Sequence, residues 1–308
     1  MFLVAAAIPV RCIALLPALC LADEQPGCVD EGAKQSLLRG QFEEAEKALR
    51  RAIATGAPCP DAHFLLAYAL LRQNRPKESL AEYTSAARLR TPTPEDLRNV
   101  ALDYVLLKDY PDADHWIRRA LLVNANDSEN WYVLGRIRYS TGEFPGAVKA
   151  FEQTLLLAPN SIKAENNLGL AYEGLNQQDK AIDAYRLAIA LGEASGKPSE
   201  QPMINLAILL AHRSDLDEAR ALLERAVILA PEDVSVREHL GHVYLERNEL
   251  PEAQVQLEKA VALSPQDARL HFLLGQVYRR ERISDKADFE FSRSASLNGT
   301  HSTPDHLN

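Results

Sequence analysis

Between Trp131 and Pro159 the large apolar positions fall three and four residues apart, the spacing that lines one face of an α-helix. Trp131 and Leu134 share a face with Gly135, Gly142 interrupts the pattern, and Ala147 and Phe151 line a second segment that Pro159 stops. Two helices packed back to back are predicted, with Gly135 small enough to let the partner approach. The pair recurs along the chain. A Gly or Ala followed twelve residues later by Ala occurs at Ala33, Ala101, Gly135, Gly169, Ala207, Gly241 and Gly275, with partners Ala45, Ala113, Ala147, Ala181, Ala219, Ala253 and Ala287. Ala67 with Ser79 is the one variant, six of the seven intervals are 34 residues, and one is 38. A fixed period of this length predicts an all-α solenoid in which each unit stacks only on its neighbours.

Composition narrows the function. The 308 residues suit a linear array better than one globular core, and 46% are apolar, largely Ala and Leu, while aromatics reach only 6%. That suits helices packed through small contacts. The net charge of −9, with no Lys/Arg run, argues against nucleic acid and against an anionic membrane surface. No segment after residue 22 approaches 18 uninterrupted apolar residues, so no later membrane span is predicted.

Residues 1–22 differ from the rest. They hold a single charge, Arg11, an apolar stretch from Ile13 to Leu21, and Cys20-Leu21-Ala22 before Asp23. Small residues at such positions suit a signal peptidase, so a signal peptide cleaved after Ala22 and a periplasmic or secreted protein are expected. An uncleaved N-terminal anchor in the inner membrane is the alternative. A lipoprotein signal fits less well, because Pro17-Ala18-Leu19 precedes Cys20.

The repeated residues resemble the tetratricopeptide repeat, whose first helix carries Trp, Leu, Gly and Tyr and whose second carries Ala, Phe and Ala before a terminal Pro. Leu168, Gly169, Tyr172, Ala181, Tyr185 and Ala188 carry the likeness in repeat five, and Leu240, Gly241, Tyr244, Ala253, Leu257, Ala260 and Pro265 in repeat seven. Leu274, Gly275, Tyr278, Ala287 and Phe291 carry it in repeat eight. The resemblance implies a right-handed superhelical solenoid over residues 23–301. Its eight helix-turn-helix repeats lie near 26–59, 60–93, 94–127, 128–161, 162–195, 200–233, 234–267 and 268–301, followed by a polar tail at 302–308. Repeat one departs from the pattern at Val29 and Gly32. Gly196-Lys197-Pro198-Ser199 supplies the four extra residues, as a longer turn or a hinge. The last helix is expected to turn a polar face outward through Lys286, Asp288, Glu290 and Arg293. Cys28 and Cys59 sit near the starts of neighbouring first helices, as a disulfide or as two buried thiols.

In this family the first helices build a concave wall that holds a peptide or helix. The resemblance places Phe64, Tyr68, Arg98, Tyr132, Arg136, Tyr139, Asn167, Phe272 and Arg279 on that wall, with Leu102, Leu170 and Ile208 either there or packed between repeats. The partner is then a protein or peptide. No phosphate loop, nucleophile elbow or paired-Cys metal spacing is present, so no cofactor is expected. His239, His242 and Glu246, with His212 on the preceding first helix, could ligate a transition metal or simply be solvated groove residues. A non-enzymatic scaffold, in envelope assembly or secretion, is the expected function. The alternatives are a self-assembling structural subunit and a groove-based enzyme.

Overall fold

Sixteen helices and no strand occupy residues 28–300, the part of the chain that the computed structural model describes. The expected signal peptide and the polar tail lie outside the described residues. Packing divides the chain into two compact units that meet at Thr91 and Pro92. The first contains α1 (Glu31–Leu38), α2 (Phe42–Ala54), α3 (Pro60–Arg72) and α4 (Pro76–Ala87). The second contains α5 (Pro94–Leu106), α6 (Tyr110–Val123), α7 (Ser128–Ser140), α8 (Phe144–Leu157), α9 (Ile162–Gly174) and α10 (Gln178–Ala194). It continues through α11 (Glu200–His212), α12 (Leu216–Leu229), α13 (Val234–Glu246), α14 (Leu250–Leu263), α15 (Ala268–Arg280) and α16 (Ser284–Thr300).

The small residue that opens each period sits where a large side chain of the second helix lands. A Cβ added to Gly135 would lie 2.5 Å from the Phe151 ring, and one added to Gly169 would lie 2.5 Å from the Tyr185 ring. Gly241 meets Leu257 and Gly275 meets Phe291 in the same way, at 2.6 and 2.8 Å. Phe151, Tyr185 and Leu257 are fully buried by the contact. Burying each such side chain contributes about 1.5–3 kcal/mol, so these pairs form the core of each repeat. The turn between paired helices is equally regular. Gly40, Asn74, Lys108, Gly142, Asn176, Ser214, Asn248 and Arg282 all adopt positive φ, the left-handed residue that ends a helix. At Gly40 and Gly142 the absence of a Cβ makes that conformation free of strain.

Neighbouring pairs are tied by side chains. Tyr172, Tyr244 and Tyr278 on first helices donate to Glu152, Glu224 and Glu258 on the preceding second helices, at 3.4, 2.8 and 2.6 Å. Burial, reinforced by Glu224, pushes the Tyr244 hydroxyl up to about 12. A second ladder runs within pairs. His63 bonds Glu82 at 2.6 Å, Arg237 bonds Gln256 at 2.9 Å, and His271 bonds Glu290 at 2.5 Å, each across 19 residues. Glu165 occupies the equivalent place in repeat five, but the residue 19 further on is Ala184. Glu165 is 7% exposed, finds no hydrogen-bond partner among the described residues, and is pushed above the ordinary carboxylate value by burial. Replacing Glu165 with Leu is therefore expected to stabilise the second unit by about 1 kcal/mol or more at neutral pH. Because the folded-state pKa is raised, the gain is full well above it and shrinks on acidification toward the unfolded value. Urea titrations of both proteins at neutral pH and near pH 4 check this, and a wild-type advantage at neutral pH would refute it.

Of the two readings of residues 196–199 the longer turn holds: they lie inside the second unit, where α10 and the turn after it are longer than in other repeats. Gly192 packs on that turn, with an added Cβ 3.3 Å from the Lys197 carbonyl oxygen and the Pro198 Cα. The division falls at Thr91 and Pro92, where Pro92 precedes the Thr93–Asp96 capping box of α5 and Pro94 opens the helix within it, so neither residue donates a backbone hydrogen bond. One expectation is corrected: Lys286 and Asp288 are exposed on α16, but Glu290 is buried against His271, and the apolar Phe289 is exposed beside them.

Candidate partner-binding groove

Within the second unit, successive first helices α5, α7, α9, α11, α13 and α15 pack closely on one another, while the second helices α10 and α12 are joined through long side chains, Arg186 to Glu218 at 2.9 Å. The second helices are thus spread along the outside of the curve, and the first helices form its inner wall. On α7 and α9 this wall carries an aromatic and polar cluster. Tyr132 stacks at 5.9 Å from Phe151, its hydroxyl accepts from Asn167 Nδ2 at 3.3 Å, and the Lys163 ammonium lies 4.4 Å from its ring centroid. Lys163 also bonds Glu129 at 2.7 Å. Burial outweighs the nearby Arg136 charge and pushes the Tyr132 hydroxyl above its usual range. Tyr139, seven residues on, packs at 5.6 Å against Phe144, and Arg136 between them is exposed. Both aromatic side chains are partly buried and held by neighbouring side chains, which suits an interface anchor.

The remaining expected groove residues divide. Phe272 is 47% exposed, its ring 5.7 Å from Phe291, and the Arg279 guanidinium covers Phe291 at 5.3 Å. Arg98 does not stand free on the wall. It pairs with Asp127 at 2.7 Å and bonds Asn130 at 3.0 Å, bracing α5 to the start of α7. Asn166 and Asn205 bond each other at 2.9 Å and brace α9 to α11. In the first unit Phe64 is corrected in the same sense: at 4% exposure it packs 6.1 Å from Tyr83 beneath the Arg90 guanidinium. Tyr68 stays half-buried, edge-on to Phe42 at 6.2 Å, and its hydroxyl accepts from Arg72 at 2.9 Å. Also in the first unit, Cys28 and Cys59 form a disulfide with Cα atoms 5.8 Å apart.

Further along the second unit the wall opens into a cavity of about 260 Å³ between α11, α13 and α15. Ile208, Ala211, Val243 and Leu273 give it an apolar floor, and His212, His239 and His242 stand in its sides. Burial first, then the charges of His242, Arg269 and His212, hold His239 below the ordinary imidazole value. Glu238, raised by burial, bonds Arg269 at 3.0 Å. Among the described residues no group of three or more His, Cys, Asp or Glu side chains is placed to hold a metal ion. The spacing of these histidines in the sequence drew attention to them, but the aliphatic floor is supplied by three separate helices and has no sequence signature.

Comparison with known proteins bears on this architecture. The tetratricopeptide repeat family matches at residues 38–94, 132–198 and 201–225, and a TPR repeat at residues 241–280. The chain is a tetratricopeptide-repeat protein. This repeat protein is 28% identical over 137 residues to anaphase-promoting complex subunit 3 of Schizosaccharomyces pombe, covering 44% of the chain and 20% of that relative. It spans between 14% and 46% of the length of the curated relatives it matches. The tetratricopeptide fold is shared with the Cut9–Hcn1 hetero-tetramer of the anaphase-promoting complex, at TM-score 0.60 and 16% identity over 90% of the chain and 53% of that one. It is shared too with PilW, a type IV pilus biogenesis factor, at TM-score 0.59 and 20% identity over 69% of the chain and 95% of that one.

Proposed function

We propose that the chain is a non-enzymatic scaffold that holds a helix or extended segment of a partner protein against the first-helix wall of its second unit. The observation that carries this reading is Tyr132, Arg136 and Tyr139 on one stripe of α7, two partly buried rings flanking an exposed guanidinium. Aromatic and Arg side chains of this kind dominate the energy of protein interfaces. Peptide capture is also named for a structural relative, YrrB, described as having an unusual peptide-binding site, at TM-score 0.51 and 20% identity. An oxidising compartment outside the cytoplasm is part of the proposal, supported by the Cys28–Cys59 bridge and by the composition of residues 1–22. Envelope assembly or secretion is the context we assign.

Against an enzyme reading, the cavity between α11, α13 and α15 is lined by no hydroxyl or thiol, and its buried carboxylate Glu238 is bound to Arg269. A self-assembling subunit is the second reading. Leu122, Leu156 and Ile228 occupy one repeat position near the ends of α6, α8 and α12 and are 86%, 72% and 78% exposed. Light scattering at several concentrations separates the two, since a scaffold keeps one mass and a self-assembling subunit does not.

A photo-crosslinker placed at Arg136, with another at Leu122 as the outer-surface control, tests the groove. The expected result is partner capture from native envelope extract at Arg136 alone. Tyr132→Ala with Tyr139→Ala should weaken that capture by more than about tenfold with circular dichroism unchanged. Equal capture by the double variant removes this surface from the function.

A further inference from the structure

The cavity between α11, α13 and α15 deepens the groove-binding reading and rests on it. An apolar floor of this kind is best filled by an apolar group, which drives water out. An imidazole in the wall holds a proton readily only while water or an anion compensates the charge, so an apolar occupant and a protonated ring exclude each other. His239 is already held toward its neutral form by burial and by the charges of His242, Arg269 and His212, against the pull of Asp233.

The charges facing the rings come from every packed element, and most acids among them are engaged elsewhere. Asp233, in the turn before α13, caps that helix through Ser235 N at 2.7 Å. Asp267, before α15, caps Arg269 N at 2.9 Å, and Glu238 of α13 bonds the Arg269 side chain. Glu246 of α13 pairs at 3.8 Å with His242, and α12 contributes only Leu223. Protonation of the partly buried His239 thus adds a charge beside Arg269, one of the groups that already disfavour it.

We propose that this cavity seats one aliphatic side chain, Leu, Ile or Val, of the segment held in the groove, and that protonation of His239 in its wall as the solution is acidified empties the seat. Binding then releases protons, and affinity rises with pH by up to about tenfold per unit for each proton released.

The full chain, labelled at its methyl groups and histidine rings, is titrated with 3-methylbutan-1-ol at about pH 7.5 and about pH 5.5, with NMR as the readout. The expected result is movement of the Ile208, Val243 and Leu273 methyl signals, with affinity lower by at least about threefold at the acid pH. Saturating alcohol should also lower the titration midpoint of the His239 ring. In the His212→Gln, His239→Gln, His242→Gln variant the alcohol still binds and the pH dependence is lost; a dependence that survives in this variant overturns the proposal. It is overturned equally if the wild-type methyl signals do not move, or if affinity is the same at both pH values. Tighter binding of isovalerate at the acid pH also overturns it, by showing an anion site. The alcohol needs no partner, so failure here leaves capture at Arg136 as a separate test of the groove.

Discussion

Gly169→Leu is expected to destabilise the second unit by at least about 3 kcal/mol, the largest effect of any single substitution considered. Even a lone Cβ at this position lies 2.5 Å from Cε1 of Tyr185, and the rest of a leucine side chain has no space behind it. The ring cannot withdraw. Tyr185 is fully buried and its hydroxyl is held by Glu173. Either the ring leaves the core or α9 separates from α10, and both expose apolar surface that the Gly–Tyr pair keeps dry. Urea unfolding of the full chain, followed by circular dichroism, should show an early transition. Gly56→Leu, where an added Cβ meets nothing but the backbone has positive φ, is the comparison and should cost only about 1 kcal/mol. A Gly169→Leu protein with an unchanged midpoint would remove this pair from the core.

Reducing the Cys28–Cys59 bridge is expected to lower the stability of the first unit by about 3 kcal/mol, through the freedom returned to the unfolded loop between residues 28 and 59. Hydrogen exchange locates the effect. Amides of α1, α2 and α3 should exchange about 100-fold faster in reductant. Amides of α11 to α15 should not change, because stacked repeats couple chiefly to their neighbours. Uniform acceleration, or none in α1 to α3, contradicts the assignment. Val29, Ala33, Ala45, Leu49 and Cys59 share one small core, so the bridge ties the short α1 to a cluster with little apolar area of its own.

The period made the helix pairs legible because every repeat needs a small residue beneath a large one, and Gly135 with Phe151 states that need in the sequence. What it could not state is which residue of a first helix faces open space. Inter-repeat braces occupy the same helix face as a ligand would, so Phe64 and Arg98 read as groove residues until Tyr83 and Asp127 were placed beside them. Tyr132 and Tyr139 read correctly as aromatics on one stripe of α7, while their partners Asn167 and Phe144 come from other helices. Glu165 was silent for another reason. Its isolation depends on Ala184 standing where other repeats offer Glu82, Gln256 or Glu290. The unit boundary was not read from the prolines at 92 and 94, whereas the four extra residues at 196–199 are absorbed by a longer helix and turn.

Because each helix of the second unit packs chiefly on helices one or two places away among the described residues, most stabilising contacts close short loops. Such an array has low contact order, so chain collapse is fast and any adjacent pair serves as the nucleus. During synthesis the earliest pairs are competent to form before the later ones leave the ribosome.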